Sequence, residues 1–599
     1  MSSAPPAVPF AARGHLDRDL GDFDFVIVGA GSAGCVLANR LSADGRHRVL
    51  LLEAGGRDWN PWIHVPLGYG KLFNDASVNW LYQSEPQPQL NGRRIAVPRG
   101  RVLGGSSSIN GLVYVRGQRE DFDAWRDAGN VGWGYDDVLP YFIRSEDQQR
   151  GANPYHGVGG PQAVSDQTEP HPLCDAFIAA AQECGYPRND DFNGATQEGF
   201  GYFQTTARNG RRCSTASGYL HPVRQRPNLR VLTRALATRV LLDGRRATGV
   251  ELRRADGTLC RVRAAREVIL AGGAINSPQL LELSGIGAGP NLKRFSIDVV
   301  HDLPGVGESF QDHLQVRSVY RCTQPITLND DLRSLWRQLR IGLRYALARK
   351  GPLTVSAGYA GAFFRTRHAD ARPDVQVHFI TFSTAKMGDA LDPWSGFTAS
   401  ICQLRPESRG WVHIKSPDPG VAPAIHPNFF ATETDRAVTV DGLQKLRRIM
   451  RAPAMRGFVE AEVEPGPQRE DDEAVAAFCR ERGASIYHPS CSARMGVDRM
   501  AVVDPRLRVH GIGGLRVVDA SVMPAVVSGN CNAAIIMIAE KASDMILQDA
   551  RVAPAEALPA LIGVGVLFRS WRGADDRTLR PLRAGRRRRH ADAEPPRQP

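Results

Sequence analysis

The chain has 599 residues, of which 42% are hydrophobic and 23% charged, and a formal net charge of +12. This composition excludes a collagen-like, coiled-coil or wholly disordered chain and leaves room for a large core. Half of the excess charge lies in residues 551–599, where eleven Arg face five acids, so the body is mildly basic and no nucleic-acid partner is indicated.

Ordered structure is expected from Phe23, after a loose arm at 1–22. Phe25-Val26-Ile27-Val28 is a continuous apolar run of the kind found in buried parallel strands. Gly29-Ala30-Gly31-Ser32-Ala33-Gly34 follows, then a helical stretch at 33–41, then Val49-Leu50-Leu51-Leu52 ending at Glu53. Strand, glycine turn, helix, strand and terminal acid form a dinucleotide-binding βαβ unit. Gly29 permits the tight turn, Gly31 and the Ser32 and Ala33 positions let the helix N-terminus approach a pyrophosphate, and Gly34 permits close packing. Glu53 is placed for a ribose hydroxyl.

Further signals lie far downstream. Gly100-Arg101-Val102-Leu103-Gly104-Gly105-Ser106-Ser107-Ser108-Ile109-Asn110-Gly111 is a small-residue run able to hold phosphate or a flavin edge. Glu267-Val268-Ile269-Leu270 runs into Ala271-Gly272-Gly273, and Leu515-Arg516-Val517-Val518 into Asp519, as strands delivering loops to one site. These returns favour FAD over NAD. Residues 332–350 place Leu332, Leu335, Trp336, Leu339, Leu343 and Leu347 at helical spacing, with Asn329 or Asp331 as N-cap and Gly351 as stop. Arg333, Arg337, Arg340, Arg344, Arg349 and Lys350 flank that stripe, as in a helix lying on a membrane surface or in a charged face over an ordinary core stripe. From 359 to 414, short alternating runs such as Val375-Gln376-Val377-His378-Phe379 and Trp411-Val412-His413-Ile414 predict an antiparallel sheet. The Ala/Pro/Arg-rich segment 551–599 is expected to be a disordered tail, dispensable for chemistry.

The ten cysteines contain no C-x-x-C pair, so neither a zinc site nor a disulfide framework is expected. With no ~18-residue apolar span and no signal-like N-terminus, a cytoplasmic protein is expected, at most touching the inner face of the cell membrane. Hydrolase readings find no GxSxG elbow or HExxH helix.

Three stretches carry a resemblance: 99–117; Gly272-Gly273-Ala274-Ile275-Asn276-Ser277-Pro278 through Leu283-Ser284-Gly285-Ile286-Gly287; and Tyr487-His488-Pro489 through Met495-Gly496. Over about 23–548 the chain resembles the glucose-methanol-choline (GMC) flavoenzyme family, nearest to bacterial choline dehydrogenases and related alcohol dehydrogenases. The resemblance implies an α/β and α+β architecture, a Rossmann-like FAD-binding domain interleaved with a substrate domain on an antiparallel sheet. The FAD domain is expected over 23–165, 226–318 and 500–550, and the substrate domain over 166–225 and 319–499. Val102, Ser106, Asn110, Gly111 and Val113 would approach the flavin, Val240 would contact adenine through its backbone, and Asp519 and Asn532 would complete the contacts. Members that tether FAD use a histidine in the small-residue loop; the matching position here is Ile109, so FAD is expected to be non-covalent.

The implied reaction oxidises a primary alcohol, choline-like or another small aliphatic one, by hydride transfer to flavin, with electrons passed to a non-oxygen acceptor such as a quinone. His488 matches the family's active-site base, and its ordinary pKa of ~6.5 leaves a neutral acceptor at pH 7. Asn530 matches the position that hydrogen-bonds the reacting oxygen, and as a bare sequence feature it is equally a helix cap. Tyr487 is a candidate pocket wall, permissive for a quaternary ammonium, but the sequence places no acidic partner for such a cation. The alternatives are an oxidase of the same family and a hydroxynitrile-lyase-like flavoprotein. Neither the alcohol nor the oligomeric state follows from the sequence.

Overall fold

The computed structural model describes residues 18–551 apart from Met387. The segment 552–599, and with it the expected tail, lies outside the described residues, as does most of the expected N-terminal arm. The first strand, Arg18–Val28, nevertheless starts before Phe23, because its early residues pair with Leu259–Leu270 through two register irregularities.

Two large sheets organise the described chain. The first runs in the order Leu229–Leu232, Val49–Leu52, Arg18–Val28, Leu259–Leu270, Arg246–Arg254, Ala235–Asp243, with Leu515–Val517 also pairing Leu259–Leu270. Its central pairs are parallel and its Ala235–Asp243 edge is antiparallel. Val26, Leu50, Val268 and Val517 are fully buried there, as the continuous apolar runs require of a sheet covered on both faces. The helices Ser32–Leu41 and Asn532–Arg551 pack on each other over it.

The second sheet is antiparallel, in the order Val459–Glu464, Leu314–Cys322, Gly396–Gln403, Val375–Ile380, Ala360–Phe364, Gly199–Tyr202. The strand Leu314–Cys322 runs across the expected domain boundary at 318/319. Trp411–His413 leaves this sheet and pairs instead with Ala424–His426. Along Val375–Ile380, Val375, Val377 and Phe379 enter the core beneath helix Glu433–Met450. Period-2 alternation puts Gln376 and His378 on the opposite face, which is buried too and looks into the cleft between the sheets.

The amphipathic stretch 332–350 is two helices rather than one. Leu328–Arg333 begins at Thr327, whose side chain forms a capping box with Asp330, and Leu335–Ala348 begins at Ser334, which is extended and caps Arg337 N–H. Neither Asn329 nor Asp331 caps, because Thr327 and Ser334 supply the hydroxyls where the backbone turns into each helix. Arg349, left-handed at φ 54°, ends the second helix ahead of Gly351. That helix buries Ile341 and Tyr345. Leu335, Trp336, Leu339, Leu343 and Leu347 on the other side are 57–82% exposed, so the expectation of an ordinary core stripe does not hold.

Candidate active site

One deep cleft lies between the sheets, lined by residues from the glycine turn, the small-residue loop, 235–237, 270–277, the second sheet, 486–489 and 519–535. On the first-sheet side, Gly29 turns at φ 103°, and a Cβ there would sit 2.5 Å from Ala271 O. Gly34 lies against Gly29 O so closely that a Cβ would overlap it, which seats the helix N-terminus directly on the turn. Gly31 precedes Ser32–Leu41 with no side-chain cap. The first-turn amides, at Ser32 and Ala33, are therefore left for an anion at the cleft wall.

Glu53 is buried and accepts from Ala30 N–H (3.0 Å) and Gly55 N–H (2.8 Å), one at each oxygen. Burial raises its pKa to about 7 against those two amides and Arg101. Each oxygen keeps a lone pair, so a ribose hydroxyl donating there would favour the charged form. Ser106, Asn110, Gly111 and Val113 all line the cleft. Asn110 Oδ1 accepts from Arg212 (2.6 Å) and Leu112 N–H, leaving its amide nitrogen as the free donor. Asn532 Oδ1 accepts from Ser32 Oγ at 2.7 Å, tying the last helix to the glycine turn. Asp519 lines the wall, but its two oxygens accept from Gly273 N–H, Ser277 Oγ, Ser521 N–H and Ser521 Oγ, so it holds the second glycine turn in shape.

Two of the expected contact residues lie outside the cleft wall. Val240 is not in the cleft wall; its N–H donates to Ser284 Oγ at 2.8 Å, and Ala235, Leu236 and Ala237 of the same strand line the cleft instead. The strand runs away from the site, so three residues move a backbone group about 10 Å along it. Val102 also lies outside the wall, fully buried with Ile63, Leu72 and Val78 beneath the small-residue loop.

On the opposite side, His488 and Asn530 meet. His488 Nε2 lies 3.1 Å from Asn530 Nδ2, and His488 Nδ1 lies 3.0 Å from His313 Nδ1. His313 Nε2 donates to Leu404 O at 2.9 Å, since a carbonyl can only accept. Burial pulls the His313 pKa down to about 4, so the ring is neutral and its Nδ1 is an acceptor. His488 Nδ1 must then carry the hydrogen, and its Nε2 is a lone pair at the cleft. Burial, then His313, His378 and Arg99, push the His488 pKa well below its ordinary value. Gln376 Nε2 donates to Asn530 Oδ1 at 3.0 Å, which turns the Asn530 NH₂ toward His488. With both ends of its amide engaged, Asn530 does not cap the following helix.

Asp312 fixes the backbone of this relay, accepting from the N–H groups of His313 (2.9 Å) and His488 (2.8 Å) and from Ser485. Tyr487 lines the cleft with a left-handed backbone, φ 73°, and its carbonyl accepts from Arg99 at 2.7 Å. Sequence reasoning did not single out Asp312, His313, Gln376, His378 or Arg317. The available signal was the Gln376 and His378 alternation, polar residues in a strand with a second buried face.

The donor set fits a dinucleotide flavin: an uncapped helix start, a buried acid, and an amide and hydroxyl loop on one wall, with a neutral imidazole opposite. A model of GMC oxidoreductases matches residues 23–315, and its C-terminal counterpart matches 406–539. The chain is a GMC oxidoreductase. It is 45% identical over 536 residues to mitochondrial choline dehydrogenase of Mus musculus, covering 88% of this chain and 89% of that one. It is 44% identical over 538 residues to "Alcohol dehydrogenase [acceptor]" of Pseudomonas putida, covering 89% and 97%. Among solved structures, pyridoxine 4-oxidase from Mesorbium loti superposes with a TM-score of 0.80 at 32% identity, covering 88% of this chain and 99% of that one. As a GMC enzyme the protein binds FAD and oxidises an alcohol.

Proposed function

We propose that the protein is a dehydrogenase of primary alcohols that holds FAD without a covalent bond and hands its electrons to a non-oxygen acceptor such as a quinone. The observation that carries the chemistry is the His313–His488–Asn530 relay, which leaves His488 Nε2 as a lone pair opposite the glycine-built wall. An alcohol hydroxyl entering there displaces the Asn530 N–H from the Nε2 lone pair, donating to His488 Nε2 and accepting from Asn530 Nδ2. His488 removes the hydroxyl proton, and Asn530 steadies the developing alkoxide. The resulting imidazolium donates through Nδ1 to the lone pair of His313. FAD, when bound, would supply the hydride acceptor. Ile109, at the position where some relatives tether the flavin, carries no nucleophile.

His488→Ala is expected to retain flavin yet slow anaerobic flavin reduction by an alcohol by ~10²–10⁴-fold, the range of general-base help. A wild-type rate in that rapid-mixing measurement would mean the base lies elsewhere. Reoxidation of the reduced enzyme faster by a soluble quinone than by air is the corresponding expectation against an oxidase. Flavin that never bleaches with any alcohol would favour a lyase.

The helix Leu335–Ala348 supports docking on an anionic membrane surface, where a lipid-soluble acceptor would be at hand. Leu335, Trp336 and Leu347 are 82%, 80% and 78% exposed, an arginine flank made of Arg337, Arg340 and Arg344 runs beside them, and Ile341 and Tyr345 anchor the far side. No helix among the described residues is long and apolar enough to cross a membrane. Wild-type protein should co-sediment with vesicles containing anionic lipid at low salt, and a Trp336→Ala, Leu339→Ala variant about tenfold less or weaker still. Equal sedimentation of the two would remove this helix as the contact.

A further inference from the structure

The two walls of the cleft differ in their ionisable side chains. Among the described residues its walls hold two carboxylates, Glu53 and Asp519, and both accept from backbone amides on the glycine-built side. The second sheet contributes Gln315, Arg317, His378, Ile380 and Ser400. Arg317, Ser400 and His378 are paired across three neighbouring strands, so they stand side by side on one face. Gln315, two residues before Arg317, is committed to Ser400, its Nε2 donating to Ser400 Oγ at 2.9 Å.

Arg317 is the unresolved group of that face. Its guanidinium makes no hydrogen bond or ion pair among the described residues, and its Nη2 is sealed from solvent without an acceptor. Burial lowers its pKa, against smaller opposing influences of Tyr487, Tyr69, Glu464 and Asp392. Tyr69 also lines the cleft, and its hydroxyl is buried without a partner. Arg99, the other guanidinium in the wall, differs: it donates to Tyr487 O and has Asp312 as its main counter-charge.

A guanidinium nitrogen sealed from solvent without an acceptor is costly to a fold, and a guanidinium lining a cleft that also holds the phenols of Tyr69 and Tyr487 is a ready receptor for a planar anion. We propose that Arg317, with Tyr69, makes the substrate end of the cleft a carboxylate-binding site, so that the alcohol oxidised there carries a carboxylate at its far end. Arg317 is on this reading a specificity-determining residue, and a quaternary ammonium such as choline, which meets a cation instead of an acid, is a poor substrate. The inference rests on the proposed alcohol dehydrogenase chemistry at His488 and narrows its substrate class.

The test compares ω-hydroxycarboxylates of three to six carbons with the matched n-alkanols and with choline, by anaerobic flavin reduction in the full-length holoenzyme. Beside it, the binding of butanoate and hexanoate, which cannot react, is read from the flavin absorbance. At least one hydroxycarboxylate should show kcat/KM tenfold or more above its alkanol, with choline below both. Arg317→Gln should weaken carboxylate binding by about 10- to 100-fold and erase the preference for the hydroxycarboxylate over its alkanol. Arg317→Lys, retaining the charge without the fork, should restore part of the binding. Choline or plain alkanols preferred by wild type, or unchanged hexanoate binding in Arg317→Gln, would overturn the inference. So would loss of flavin from both Arg317 variants, which would assign the guanidinium to the cofactor. If no alcohol bleaches the flavin but hexanoate binding still depends on Arg317, the dehydrogenase reading fails and the carboxylate site stands.

Discussion

On the first-sheet wall of the cleft, Gly29, Gly31, Ser32 and Glu53 come from one βαβ unit, and what they offer is mostly backbone: amides of a helix start and of a tight turn. On the opposite side, His488 and Asn530 in the wall and His313, Gln376 and Leu404 behind it come from five separated stretches, and four of the five act through side chains. The first wall tolerates no added atom at the turn but needs little chemistry from side chains. The second depends on which nitrogen of each ring carries a hydrogen, which is set by a chain of partners ending on a carbonyl. A binding surface for a large polar cofactor can thus be local, whereas a base whose lone pair must point at one place needs support from several directions.

This contrast makes substitutions on the two walls fail differently. On the facing wall, next to the His488 loss given above, Asn530→Ala is expected to slow flavin reduction by up to ~10²–10³-fold, the cost of one hydrogen bond to the reacting oxygen. Its flavin content should stay full. On the first wall, Gly29→Ala puts a Cβ against Ala271 O at a φ of 103°, and strain of about 1–3 kcal/mol should appear as low flavin occupancy, with near-normal reduction per flavin bound. Denaturing the wild type should release all of its flavin, and colour left on the precipitated chain would refute non-covalent binding. If Gly29→Ala kept full flavin but lost its rate, the separation of roles between the walls would be wrong.

The smallest expected effect is in the pH profile. A base works only while deprotonated, and burial has lowered the His488 pKa well below 6.5, with His313 at about 4. The rate of flavin reduction should therefore stay level from pH 9 to below 6.5 and fall only in more acid solution, where His488 is protonated. His313→Asn keeps a polar side chain but removes the relay's ring acceptor, and a changed acid limb in that variant would separate tautomer control from mere packing. A wild-type profile that already drops between pH 7.5 and 6.5 would mean His488 titrates as an ordinary exposed imidazole.

The exposed stripe of Leu335–Ala348 shows where sequence periodicity stops. Its five apolar residues were legible, with Leu332, as one helical face, yet the face that packs is the narrow one bearing Ile341 and Tyr345. Periodicity reports that a helix has two kinds of face, and only neighbours decide which one is covered. The same limit explains Val240 against Ala237: the strand could be read, but where along it the cleft opens depends on how the helix Gly273–Leu283 packs, through the Ser284 hydroxyl that takes up Val240 N–H.

The βαβ unit with its glycine turn and Glu53, the family, FAD, and His488 and Asn530 as the pair to watch were legible in the order of residues, because each rests on short-range pattern or on motifs a few residues long. Only the packed chain shows that His313 and Gln376 orient that pair, and that Arg317 lines the cleft with no ion-pair partner among the described residues. Hydrogen-bond partners 42 to 175 residues apart leave no periodicity in a chain, and a polar residue alternating along a strand looks the same whether its face meets water or a substrate.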